Sequence, residues 1–130
     1  MRIPALWTQS ALAALVALGV AVQVYLIAAY IFGAGGDALD AHKTAGFIVH
    51  LVEILTFLVG IGAWWRRWGM VAVAFALPAL GTIQVAFSEG DEWVGAFHGL
   101  LALAVLALAG VVHVTAMREA RALTAARPAA

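Results

Sequence analysis

The sequence predicts an all-α transmembrane four-helix bundle running up-down-up-down, and three observations carry that prediction. Hydrophobic residues make up 65% of the chain and charged residues 11%, with a mean hydropathy of +1.03, whereas ordinary soluble domains are about a quarter charged. Four apolar runs, at about 5–32, 41–65, 69–88 and 93–116, each approach or exceed the ~20 residues that a helix needs to cross the hydrocarbon core. The connections are short enough to make consecutive helices antiparallel neighbours. Residues 1–130 therefore read as a single transmembrane domain, with a short basic tail at 117–130 expected to be partly disordered.

The charges are sorted by side. Arg2, Arg66, Arg67, Arg118, Arg121 and Arg127 fall on one side of the proposed membrane, and Asp37, Asp40, Glu89, Asp91, Glu92 and the lone Lys43 on the other. The positive-inside rule then predicts a multi-pass protein of the plasma membrane with both termini and the second loop in the cytoplasm. Trp64, Trp65 and Trp68 beside Arg66 and Arg67, and Trp93 at the start of the fourth run, read as aromatic belts. The few basic residues are explained by topology, which argues against nucleic-acid binding. With no cysteine, disulfides, thiolate metal sites, iron–sulfur clusters and covalent c-type haem are excluded.

The first span, "ALWTQSALAALVALGVAVQVYLIAAYIF", is rich in Ala, Val and Gly, residues that let membrane helices approach closely. Its apolar stretch exceeds the roughly 7–15 residues of a signal-peptide core, so it is expected to be retained. The loop "GAGGDALD" ends in Asp40, a candidate N-cap for the second span. In that span, "DAHKTAGFIVHLVE" places His42, Gly46, His50 and Glu53 within about 80° of one another at ~100° per residue, hence on one face. The third span holds Pro78 and Gly81, which predict a kink and a local widening of the bundle. The fourth carries His98 near its outer end and His113 near its inner end, the latter expected at the membrane interface.

A faint internal repeat links these features. "QVYLIAAYIFGAGGDALDAHKTAG" and "QVAFSEGDEWVGAFHG" share an order: Gln-Val near the outer end of a helix, an acidic glycine-containing turn, then a histidine early in the next helix. Gln23 matches Gln84 and His42 matches His98, as in a duplicated hairpin whose halves are related by an axis along the membrane normal. Both histidines would then lie at similar depth on diagonally opposed helices.

Ionisable groups inside a membrane are costly, about 2.5–3.5 kcal/mol at mid-span, so His42, His50, His98 and Glu53 need partners or a task. One b-type haem (heme b) is the first reading: imidazoles on facing helices ligate iron axially, with Gly46 beside His42, and Gly99 and Ala102 beside His98, leaving space for the ring. Lys43 would neutralise a propionate, and Glu53 would orient a ligand histidine. His50, on the same face, is the alternative ligand to His42. A carboxylate–histidine metal site is the second reading, since His50 and Glu53 stand at i, i+3, but it needs three or four ligands. The third is a proton- or solute-conducting oligomer using His50, Glu53 and Gln84. In the fourth, a cofactor-free accessory subunit, Gln23, Gln84 and the histidines only join helices, although such contacts return about 0.6 kcal/mol on average. The lipid bilayer is the expected partner throughout, with a redox partner or a second copy of the chain beside it.

The run "QVYLIAAYIFG…DAHKTAG", followed by "QVAF" and "FHGLLALAVLALAGVVH", resembles a family of small bacterial integral membrane proteins known only as a domain of unknown function. That resemblance implies four transmembrane helices with a histidine at the outer end of the second and fourth. A weaker likeness is to one half of haem A synthase and to bacterial b-type membrane cytochromes, in which a His-Arg-x-x-Gly-like motif opens the second helix. Here "HKTAG" fits with Lys43 in place of arginine, and "HGLLA" supplies the other histidine. By that likeness His42 and His98 are the axial ligands; the chain holds a single bundle, so only haem holding carries over.

Overall fold

The computed structural model describes residues 2–88 and 90–126, so Glu89 and Arg127, two of the charges counted above, lie outside the described residues. Four helices form, α1 (Arg2–Ile31), α2 (Gly36–Ala63), α3 (Trp68–Phe87) and α4 (Glu92–Ala125), and each is long and apolar enough to cross a membrane. α1 packs against α2 and α4, and α3 against the same two, while the diagonal pairs have no close backbone approach. The result is a square up-down-up-down bundle. One end carries the start of α1, the end of α4 and the α2–α3 turn (the terminal end), and the other carries His42 and His98 (the histidine end).

The helices meet through a seam of mostly small side chains that recur three or four residues apart. α1 buries Leu6, Gln9, Ser10, Ala13, Val16 and Val20, and α4 buries Val105, Ala109, Val112, Ala116 and Ala120. A mean spacing near 3.5 keeps one stripe facing its neighbour when helices cross at about +20°, and small residues suit membrane bundles because lipid supplies no hydrophobic drive to associate. Packing is close: a Cβ built on Gly60 of α2 would stand 2.9 Å from the Ala74 Cβ of α3. The large apolar side chains of α2, such as Phe47, Leu51 and Leu58, point outward, where lipid would cover them.

Burial has a sharp limit. From the terminal end it reaches Val20, Glu53, Gly81 and Val105 on the four helices; beyond that plane, towards the histidine end, no described residue is buried. Pro78 lies inside an unbroken α3 and is itself buried, so the closed part of the bundle includes it. The expected widening at Pro78 is not seen; burial is lost only beyond Gly81.

Three local expectations are corrected. Gly33 and Gly35 take positive φ, 94° and 86°, a backbone only glycine adopts freely, so the first turn closes early and α2 starts at Gly36. Asp40 is thus inside the helix and not its N-cap. α4 continues to Ala125 instead of ending near 116, because "MREARALTA" is made mostly of strong helix formers and Glu119 bonds to Arg2 and Arg67. Trp64 is fully buried, while Trp65 and Trp68 remain about two-thirds exposed and suited to an interfacial belt. The sequence signal missed at the other turn is Asp91, whose carboxylate accepts the Val94 N–H at 3.0 Å and caps α4.

Candidate functional site

His42 on α2 and His98 on α4 face each other across the bundle axis, with ring centroids 6.1 Å apart and planes inclined by 59°. Each ring is fixed by the same device. His42 Nδ1 lies 3.0 Å from the Gln23 carbonyl oxygen of α1, and His98 Nδ1 lies 2.9 Å from the Gln84 carbonyl oxygen of α3. A carbonyl only accepts, so Nδ1 carries the proton in both rings and donates it. In the neutral imidazole the lone pair then sits on Nε2, and this Nδ1–H···O=C bond is the usual way a ligand histidine is oriented.

The paired Gln-Val and histidine motifs are therefore joined in space, Gln23 with His42 and Gln84 with His98. It is the backbone carbonyl of each glutamine that acts, using the second lone pair that a helical C=O keeps free. The Gln23 amide does something else: its Nε2 would lie 2.8 Å from a Cβ on Gly46, so Gly46 admits an α1 side chain. The expectation that Gly46 leaves room for a flat ring is not what the packing around it displays. Gly99, one residue past His98, has open space where a Cβ would stand, and Lys43 is exposed beside His42.

His50 belongs to a different cluster, at the edge of the closed region. Its Nδ1 is 2.9 Å from Glu53 Oε2, and its Nε2 is 3.4 Å from Thr82 Oγ1 on α3. Thr82 already donates its hydroxyl proton to the Pro78 carbonyl at 2.8 Å, so it can only accept from His50. Both ring nitrogens are engaged. Glu53 is 2% exposed, and Gly81 is what lets it fit, because a Cβ there would overlap the Glu53 carboxylate and stand 2.7 Å from His50 Nδ1. Among the described residues no group of three or more His, Asp or Glu side chains converges as metal ligands would.

His113 is half-buried and tied to α1: its Nδ1 lies 3.0 Å from the Ser10 carbonyl oxygen and 3.0 Å from Ser10 Oγ. It is an interhelical link, more than the interfacial residue expected. Sequence reasoning also passed over Gln9, Ser10 and Thr56, all buried; for the first two, the triplet "TQS" inside an apolar run was the available signal. Comparison with protein families, with curated proteins and with solved structures gives no match.

Proposed function

We propose that this chain is an integral membrane protein of the plasma membrane, with its termini in the cytoplasm, that holds one b-type haem through His42 and His98 for electron transfer or haem handling. The observation that carries the reading is the imidazole pair. Two imidazole–metal bonds of about 2.0–2.1 Å, with about 1.1 Å from each nitrogen to its ring centre, put ring centroids about 6.3 Å apart across one metal, against the 6.1 Å found. Two ligands are enough only for a metal that brings its equatorial donors with it, as porphyrin iron does.

Both rings present an Nε2 lone pair while their Nδ1–H groups are held by helix carbonyls, so little reorientation accompanies ligation. Lys43 would be the cation that meets a propionate, Gly99 gives His98 clearance, and the Gln23 and Gln84 carbonyls hold the two rings from behind; Glu53 bonds to His50 and stands apart from both. A haem held by His42 and His98 would supply one-electron iron chemistry. The test is an optical spectrum of the detergent-purified protein expressed with ample haem. A Soret band is expected, lost in His42→Ala and in His98→Ala and retained in His50→Ala; a colourless wild-type protein overturns the reading in favour of a cofactor-free accessory subunit.

A further inference from the structure

The buried face of α2 is inverted for a membrane helix. Amid Leu, Ile, Val and Phe, the residues it buries are Glu53, Thr56, Gly60 and Ala63, followed at the helix end by Trp64. Where Gly60 leaves space, the α1 amide of Gln9 enters, its Nε2 3.3 Å from the position of a Gly60 Cβ. Gln9 is fully buried, yet neither its Nε2 nor its Oε1 has a hydrogen-bond partner, and the same holds for Nε1 of the fully buried Trp64. At this depth Pro78 has no N–H to give the Ala74 carbonyl, whose residue is also fully buried. Donors and acceptors stranded together in a core are the setting in which internal water is found, because an unmet buried polar group forfeits the hydrogen bonds it would make in water.

The spacing along α2 suits a file of such waters. At ~1.5 Å per residue, Glu53 to Thr56 is about 4.5 Å, and Thr56 to Gly60 and Gly60 to Trp64 are about 6 Å each. One water accepting and donating at ~2.8 Å bridges about 5.5 Å. Next to Trp64 at the terminal end lies a cleft of about 480 Å³ lined by Arg2, Ala63, Trp65 and Arg67. At the upper end of the file stands a shared proton. Because Thr82 can only accept, His50 Nε2 carries one hydrogen, and a second lies in the 2.9 Å contact between His50 Nδ1 and Glu53 Oε2. Among the described residues α3 has no ionisable side chain and α1 has none between 3 and 24, while His113 of α4 is bonded to Ser10, and His42 and His98 to the Gln23 and Gln84 carbonyls.

We propose that the buried face of α2 is a water-filled proton path joining the terminal-end cleft to the Glu53–His50 pair. Water positioned by Trp64 Nε1, the Gln9 amide and the Thr56 hydroxyl, which donates to the Val52 carbonyl at 2.7 Å and so accepts from the file, passes a proton between bulk water and the pair. Only O–H and N–H bonds break and form, and no redox partner takes part. The path does not depend on haem binding at His42 and His98.

The test follows exchange of the His50 imidazole proton with solvent by water-saturation transfer on the full chain, ¹⁵N-labelled at histidine, in lipid nanodiscs. Gln9→Leu and Thr56→Val are each expected to slow exchange by about tenfold or more, the change made by ~1.4 kcal/mol of added barrier. Thr56→Ser, which keeps the hydroxyl, restores the wild-type rate, and Thr124→Val, whose residue bonds only to Ala120, leaves it unchanged. Helical content and melting of each variant are measured alongside, and Thr56→Val, close to isosteric, carries the test should Gln9→Leu disturb packing. Exchange equally fast in Gln9→Leu and Thr56→Val places proton entry at the histidine end and overturns the proposal, as does a wild-type proton that does not exchange.

Discussion

The two ends of this bundle are held together by different physics. On the terminal side of the Val20–Glu53–Gly81–Val105 plane, small side chains at 3.5-residue spacing bring the helices into contact, and all the buried side chains lie there. On the histidine side no described residue is buried, and the ties are directional: an imidazole of α2 to a carbonyl of α1, and an imidazole of α4 to a carbonyl of α3. Close contact between small side chains is unforgiving of added volume, whereas a few hydrogen bonds across a less buried region tolerate it. A bundle can thus be rigid at one end and receptive at the other without a separate domain for each task.

Substitutions sharpen that contrast. The largest stability loss is expected for Gly81→Val, where the added side chain overlaps the Glu53 carboxylate in the tightest part of the bundle; overpacking of this kind costs about 1–3 kcal/mol or more, read as a lowered melting temperature in detergent. Ala109→Leu, which forces bulk into the fully buried α4 seam, is expected to cost a similar or slightly smaller amount by the same measurement. At the other end, Gly99→Ala adds a methyl into open space and is expected to hold or raise helix stability by up to about 0.5–1 kcal/mol. A marked loss there would show that the histidine end is as tightly packed as the terminal end. The smallest effect is expected for Glu119→Gln: the Arg2 and Arg67 partners are both nearly half exposed, and such surface pairs contribute about 0–1 kcal/mol, less at high salt.

Much of the bundle was legible because hydropathy and helix length speak directly to a bilayer. The four spans, their order and their antiparallel neighbours follow from runs of apolar residues and short turns. The pairing of His42 with His98 was legible too, but only through the Gln-Val and histidine order; the device behind it, a backbone carbonyl, leaves no mark on residue type. Gly46 was misread because a glycine in a sequence announces space without saying who fills it. Trp64 was misread because two tryptophans one residue apart look alike until a helix terminus turns one inward and the other outward.

The sequence by itself determined that four helices cross a membrane and that the polar residues among them carry an energetic cost demanding an explanation, since burial in hydrocarbon penalises charge and amide whatever the fold. Only the tertiary structure decided which partner meets that cost. Glu53 is met by His50 and by the absence of a side chain at Gly81 on another helix, His42 and His98 by carbonyls of α1 and α3, and Gln9 and Trp64 by no protein group. The reason is that hydrophobicity is a property of each residue alone, whereas a hydrogen bond across helices depends on distance and direction between residues far apart in the chain.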